Sequence, residues 1–207
     1  MVTLAASSDA PVVGHPTRDG GQSEVARRIL EVAAPRFYRE GIRAVSADAV
    51  MAEAGVTKVT FYRHFPTKDR LVEAYLETVA AAERAAVASW RARHAGDPAA
   101  VLTEYANQLG TQVCGDGFRG CPFLNAVAEY PDVTHPVRVV AERHREWLRR
   151  TAEDLLTELG LPDARVAAVQ LVMLRDGAMA AGGGVEPGEI GRALRRAGEA
   201  VVRAALR

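Results

Sequence analysis

The sequence has few of the residues on which several classes of protein depend. Two of its 207 residues are cysteines, Cys114 and Cys121, which are too few for a disulfide framework and lack the spacing of zinc ligands. It contains no apolar run of about eighteen residues, and no basic segment followed by an apolar core at its start. We therefore expect a cytoplasmic protein with no membrane span, no signal peptide and no metal or other cofactor.

The net charge of the chain is zero, but its charges are unevenly distributed. The chain has 26 basic and 26 acidic residues, a balance that argues against a nucleic-acid partner because phosphate neutralisation supplies most non-specific affinity. Residues 22–68, however, carry eight basic side chains and five acidic ones, a net charge of +3. The two lysines of the sequence, Lys58 and Lys68, both lie in this segment. A nucleic-acid contact is therefore expected in this positively charged part of the chain.

Strand patterns, internal repeats, phosphate-binding glycine loops and paired-carboxylate motifs are absent from the sequence. Nearly all of the chain has helical periodicity instead, and glycines and prolines divide it into about nine helices. The predicted fold class is all-α. We predict a disordered arm over residues 1–21, a three-helix helix-turn-helix domain over 22–68, and a helical domain for ligand binding and dimerisation over 69–207.

The positively charged segment has the pattern of three helices joined by tight turns. An apolar stripe at three- and four-residue spacing indicates a first helix that ends before Gly41. Ser46 caps a short second helix, Gly55 ends that helix with a left-handed turn, and Thr57 caps the third. Two short helices joined by a glycine turn form a helix-turn-helix, in which the second helix enters the major groove of DNA.

An ordered set of residues in this segment carries a resemblance to a known family. The set comprises Phe37, Gly41, the run 52–58 (AEAGVTK) and the run 61–69 (FYRHFPTKD). It resembles the TetR family of bacterial transcriptional regulators over roughly residues 29–76. The resemblance implies a homodimeric repressor with a ligand pocket in its second domain. Val59 stands where the family usually has a small residue or proline, which affects the fit to the groove and not the fold.

Nine residues are predicted to contact DNA. Short side chains at the start of the third helix can approach base edges, and the ammonium groups of Lys58 and Lys68 can reach phosphates. Tyr62 and His64 resemble phosphate contacts of the family. Three alternatives remain open: Lys58 can be a solvated lysine, Thr57 can be no more than a helix cap, and His64 can pack beside Phe65. The predicted set is Ser46, Thr57, Lys58, Val59, Thr60, Tyr62, Arg63, His64 and Lys68.

A pocket for a small-molecule effector is predicted in the second domain, with plain core as the alternative for each residue. The candidates mix apolar surface with a few polar groups. Asp176 needs a partner if it is buried, which Arg175 or a ligand can supply. The last two helices have wide faces of small and apolar residues, suited equally to a homodimer interface and to the core. The predicted pocket residues are Tyr105, Cys121, Phe123, Asn125, Glu129, Trp147, Met173, Asp176 and Met179.

Three functions compete at this point. The first is a repressor that a small molecule releases from a near-palindromic double-stranded DNA operator. The second is a redox or electrophile sensor, in which Cys121, beside Arg119 at a helix start, is a reactive thiol; the alternative is a buried small hydrophobe. The third is an enzyme that uses Cys121 with His135 or His144 as base. No other motif supports catalysis, so we predict that the protein is not an enzyme.

Overall fold

The computed structural model describes Gly14 and residues 23–180 and 188–206. These residues form nine α-helices and no strand, so the predicted all-α fold class is confirmed for them. The arm predicted over residues 1–21 lies, apart from Gly14, outside the described residues. The helices are α1 (Glu24–Glu40), α2 (Ala47–Ala54), α3 (Lys58–His64), α4 (Lys68–Arg93), α5 (Pro98–Val113), α6 (Pro122–Glu129), α7 (Pro136–Glu158), α8 (Ala164–Ala180) and α9 (Glu189–Ala205).

Side-chain caps determine where several of these helices begin. The side chains of Ser23, Ser46, Thr57 and Asp97 each accept a hydrogen bond from the backbone N–H three residues later, at the starts of α1, α2, α3 and α5. Each such cap contributes about 1 kcal/mol. Gly55 ends α2 with φ 62°, a left-handed conformation that glycine adopts without a steric penalty. The turn between α2 and α3 is therefore fixed on both sides.

The described residues form two compact units, and the N-terminal unit comprises Val2–Ala82 with Pro122–Glu142. In it, α3 packs against α1 and α2. The rings of Phe37 and Tyr75 lie 5.9 Å apart, which brings α1 against α4. Phe61 and Phe65 are almost completely buried, as expected from their four-residue spacing. The core of this unit includes Ile29, Leu30, Phe37, Ile42, Val50, Phe61, Phe65, Leu71 and Leu76.

The C-terminal unit comprises Glu83–Cys121 with Arg143–Arg207. Here α9 packs against both α5 and α8. A Cβ atom placed on Gly110 of α5 would lie 3.0 Å from the Cα of Gly191 on α9, so glycine permits the close approach of these two helices. This division groups α6 with the first three helices. The domain limits at residues 21 and 68 stay a prediction.

Candidate nucleic-acid interface and ligand cavity

Helix α3 is anchored by its buried face and presents its opposite face to solvent. Phe61 is 0% exposed, and its ring lies 6.2 Å from that of Phe65. At the start of the helix, the hydroxyl of Thr57 accepts a hydrogen bond from the Thr60 N–H at 3.2 Å and lies 2.9 Å from the Thr60 hydroxyl. The apolar face thus fixes the orientation of the helix, and the capping bond fixes its first turn.

Most of the residues predicted to contact DNA share the outward face of this helix-turn-helix. Val59 is 79% exposed, so its methyl groups are available to a groove. The Lys58 ammonium makes no hydrogen bond or ion pair within the described residues. Thr60 and His64 are half-buried at the edge of the surface. The exposed members are Ser46, Thr57, Lys58, Val59, Tyr62 and Arg63.

Lys68 differs from Lys58 because its ammonium is already engaged. The Nζ atom donates to the carbonyl oxygens of Ile42 at 2.9 Å and Val45 at 3.1 Å, and the side chain is half-buried. Lys68 therefore holds the turn between α1 and α2, a structural role that the sequence analysis did not anticipate. A phosphate contact through its remaining N–H stays a prediction.

Three of the predicted pocket residues, Phe123, Asn125 and Glu129, lie on α6 in the N-terminal unit. The Glu129 carboxylate accepts hydrogen bonds from the backbone N–H groups of Ile42 at 2.9 Å and Arg43 at 2.7 Å. The two Glu129 oxygens therefore bind the turn between α1 and α2, and a ligand contact of Glu129 stays a prediction. A lone glutamate near the end of a short helix gives no sequence signal for this pairing, since its partners lie more than eighty residues away.

The C-terminal unit contains a cavity of about 360 Å³. Leucine, valine and alanine side chains from α5, α7, α8 and α9 form most of its wall. Of the nine predicted pocket residues, Tyr105 lines this cavity, whereas Cys121, Asp176 and Met179 do not. Trp147 also lies outside it, with its ring 5.3 Å from that of His144. Sequence reasoning did not point to most of the residues that line this cavity, because small aliphatic residues on helices look the same as ordinary core.

Met173 is another predicted pocket residue that lies away from this cavity, and its contact with a ligand stays a prediction. Its side chain is 67% exposed and does not line the cavity. Met173 lies on α8, where Val166 and Val169 are also exposed on the same face, three and four residues apart. A methionine in the middle of an apolar helix resembles a cavity residue in sequence, but the rotation of α8 turns this position outward.

A buried arginine, Arg175, sits at the cavity wall and makes three hydrogen bonds. The residue is 7% exposed. Its Nε donates to the Tyr105 hydroxyl oxygen at 3.2 Å, and its Nη1 lies 3.2 Å from the Cys121 sulphur and 3.0 Å from an Asp176 oxygen. Asp176 also accepts from Arg145 at 2.8 Å. Arg175 is thus a partner of Asp176, as predicted, and it also contacts Cys121, beside which Arg119 was expected.

Glu83 of α4 completes this buried polar network. One oxygen accepts the Tyr105 O–H at 2.7 Å, and the other lies 3.0 Å from Nε2 of His144. Burial alone raises the pKa of Glu83, but the His144 hydrogen bond and the Arg175 charge outweigh it and lower that pKa overall. Burial and the Glu83 charge raise the pKa of Tyr105 well above its usual range. Glu83 is therefore ionised at neutral pH, and Tyr105 remains a neutral donor.

Two further features bear on what this arrangement can do chemically. No three histidine, cysteine or acidic side chains come together as a metal site anywhere in the parts of the chain that the structure describes. Across the same residues, no helix combines the length and the apolar character needed to cross a membrane. The polar groups that remain are an exposed basic and hydroxyl-bearing surface on α3 and a buried network beside an apolar cavity.

An exposed helix that follows a short helix across a glycine turn, on an all-helical scaffold, is the arrangement of a helix-turn-helix protein. Residues 29–75 match the family model described as bacterial regulatory proteins, tetR family. The fold matches SCO4454, a TetR-family transcriptional regulator from Streptomyces coelicolor, with a TM-score of 0.84 and 41% identity over 89% of this chain and 91% of that one. The chain belongs to the TetR family of bacterial DNA-binding transcriptional regulators. Regulators of this family are generally not enzymes.

Two other relatives agree with this assignment. A putative TetR-type regulator from Streptomyces avermitilis has a TM-score of 0.70 and is 28% identical, over 88% of this chain and 98% of that one. The HTH-type transcriptional repressor Rv3405c of Mycobacterium tuberculosis is 27% identical over 124 residues. That match covers 60% of this chain and 63% of the relative, which is less than two thirds of the relative's length.

Proposed function

We propose that the protein is a cytoplasmic, homodimeric repressor that binds a near-palindromic double-stranded DNA operator and is released by a small molecule. One observation carries this proposal: the C-terminal unit holds a cavity of about 360 Å³, and none of its lining residues belongs to the exposed helix α3. That volume falls within the usual range for ligand sites. The apolar lining with a few polar groups is also typical of sites for small organic molecules.

The exposed face of α3 supports the DNA-binding half of the proposal. Val59 and the hydroxyls of Thr57 and Thr60 are short enough for the helix to approach base edges. Lys58, Tyr62 and Arg63 are exposed around them and offer donors for phosphate oxygens. In the proposed complex, the phosphate contacts position the helix and the short side chains read the sequence.

An exposed apolar stripe on α8 supports the homodimer through the last two helices. Val166 is 53% exposed, Val169 41% and Met173 67%, and their spacing places them on one face. Gly177 continues the stripe, and a Cβ atom added there would meet nothing within 4 Å. Exposed apolar stripes of this kind are typical of interfaces, and a symmetric dimer buries the same stripe of both copies.

The contacts of α6 suggest how ligand binding would reach the DNA-binding helices. Cys121, which Arg175 contacts, directly precedes Pro122 at the start of α6. At the other end of α6, Glu129 binds the turn between α1 and α2. In our proposal, a ligand that displaces Arg175 shifts α6 and, through Glu129, the helix-turn-helix. A coupling free energy of about 1–3 kcal/mol is sufficient for a useful switch.

The test begins with an operator selected from a random DNA library by the purified full-length protein. A gel-shift titration should then give a specific complex with two copies of the chain per operator. Small molecules are screened for release of that complex. Ala152→Phe, which fills the cavity, should keep operator binding and lose release, whereas Ala92→Phe, at an exposed position on α4, should keep both. Full release of the Ala152→Phe variant would contradict an effector site in this cavity.

A second candidate function, a redox or electrophile sensor, rests on the contact between Arg175 and Cys121. The Arg175 guanidinium lies 3.2 Å from the Cys121 sulphur, and reactive cysteines are typically found beside a positive charge. Cys121 is only 2% exposed, so an oxidant must reach it through a transient opening. Hydrogen peroxide should release wild-type protein and the Cys114→Ser variant from DNA but not Cys121→Ser. Normal release of the Cys121→Ser variant would rule this function out.

A further inference from the structure

The chemistry of the cavity wall limits what kind of effector it can hold. Most of the wall is aliphatic, and Tyr105 is the aromatic side chain among its lining residues. Such a surface gains free energy from burying an apolar body, at about 25 cal/mol per Å² of apolar area removed from water. The aliphatic lining includes Val87, Val101, Leu102, Leu148, Leu155, Leu159, Leu171, Leu194 and Val202.

The charged side chains at the cavity are mainly positive. Arg175, Arg195, Glu199 and Arg203 line it, so three of these four residues are arginines. Arg203 and Glu199 form a loose and exposed pair at 3.8 Å. The two carboxylates that balance Arg175, those of Glu83 and Asp176, are not among the lining residues. A ligand in the cavity therefore meets the cationic side of the buried network and not its anionic side.

Arg175 keeps one donor nitrogen for such a ligand. Its Nε and Nη1 donate to Tyr105, Cys121 and Asp176, whereas Nη2 has no hydrogen-bond partner within the described residues. These bonds also fix the plane of the guanidinium, so a ligand group need not order it. A carboxylate is the group that best matches a planar, buried and positionally fixed guanidinium, because the bond is charge-assisted at both ends.

We infer that the effector is an amphipathic anion, with an aliphatic body in the cavity and a carboxylate on Arg175. This inference rests on the proposed effector function of the same cavity. A cationic head group would instead meet three arginines. A neutral hydroxyl could accept a hydrogen bond from Nη2, but bonds between two charged groups are stronger. The carboxylate form should therefore bind at least about tenfold more tightly than a neutral analogue of the same length.

Three probes with the same chain length separate these cases: decanoate, 1-decanol and decylamine, each used as a monomer in solution. Binding to the full-length protein is followed by calorimetry and by Trp90 fluorescence, since the Trp90 ring lies 6.2 Å from that of Tyr105. Release of the operator is measured in parallel. The expected order of affinity is decanoate first, 1-decanol at least about tenfold weaker, and decylamine weakest.

Matched arginine variants assign this preference to one side chain. Arg175→Met should bind decanoate and 1-decanol with similar affinities, whereas Arg175→Lys should keep a reduced preference for decanoate. Arg145→Met is the control, because Arg145 donates to the same Asp176 but does not line the cavity. Arg145→Met should prefer decanoate over 1-decanol as strongly as the wild-type protein does. If circular dichroism shows that Arg175→Met does not fold, the comparison of Arg175→Lys with Arg145→Met still decides whether Arg175 causes the preference for decanoate.

The outcomes distinguish this inference from the proposed function. If 1-decanol or decylamine binds as tightly as decanoate and releases the operator, the cavity is an effector site and the carboxylate inference is wrong. If decanoate binds preferentially but leaves the operator bound, the ligand class stands and the effector function fails. If none of the three probes binds, the inference is overturned, and the effector function of this cavity is decided separately by the Ala152→Phe variant.

Discussion

The outward face of α3 and the buried network around Arg175 use polar groups in opposite ways. On α3, hydroxyl and basic side chains are exposed, and the Lys58 ammonium has no partner among the described residues. In the network, Arg175 is 7% exposed and bonded to Tyr105, Cys121 and Asp176. A surface for DNA must leave its donors available. A site that responds to a ligand can hold its charges in bonds that the ligand then rearranges.

The largest expected effect is a loss of stability, which should follow a substitution on the buried face of α3 but not one on its exposed face. Phe61→Ala should destabilise the protein by about 3–5 kcal/mol, because it removes a fully buried ring. Val59→Ala, on the exposed face, should leave thermal stability almost unchanged and weaken operator binding. Thermal denaturation and gel shifts of both variants check this pair. Equal losses of stability would mean that Val59 also has a packing role.

The next prediction concerns the charge of Glu83 in the network. Glu83→Gln keeps an acceptor for Tyr105 but removes the carboxylate beside His144 and Arg175, and should destabilise the protein by about 2 kcal/mol at neutral pH. Because the pKa of Glu83 is lowered in the folded state, its ionised form stabilises above its ordinary pKa, and this contribution is lost as pH falls through the folded-state pKa. Urea denaturation should show the full difference from wild type at pH 7, and this difference should shrink only below the ordinary glutamate pKa of 4.5, in a series extended towards pH 3. A constant difference would contradict the sign of this shift.

A smaller effect is expected from Glu129→Gln, which breaks one contact of α6 with the turn between α1 and α2. The amide of the variant would offer one oxygen where the carboxylate offers two, so a loss of about 1–2 kcal/mol is expected. Glu142→Gln is the control, because its pair with Arg138 is on the surface and should contribute less than about 1 kcal/mol. Urea titrations measure both losses. Release of the operator by the effector should also weaken in Glu129→Gln. Unchanged release would mean that α6 does not transmit ligand binding to the helix-turn-helix.

The difference between these regions also explains which features of the fold and of the site could be predicted from the sequence. Caps such as Ser46 and Thr57, and the turn at Gly55, are local signals, and the helices begin and end where those residues predict. The packing of Phe61 likewise follows from periodicity. The Glu129 and Lys68 contacts join residues distant in sequence, so no local pattern reveals them. The cavity depends on how four helices are rotated, so the sequence could not show that Met173 points away from it.

The two lysines of the chain provide the smallest but most specific test of the comparison. Lys58→Ala should weaken binding to operator and to random DNA alike and reduce the salt dependence of binding by about one ion, with stability unchanged. Lys68→Ala should mainly destabilise the protein, because its ammonium bonds two backbone carbonyls. Gel shifts at several salt concentrations and thermal denaturation separate the two effects. If Lys58→Ala affected the operator alone, Lys58 would read a base and not a phosphate, so sequence readout on α3 would extend to its first residue.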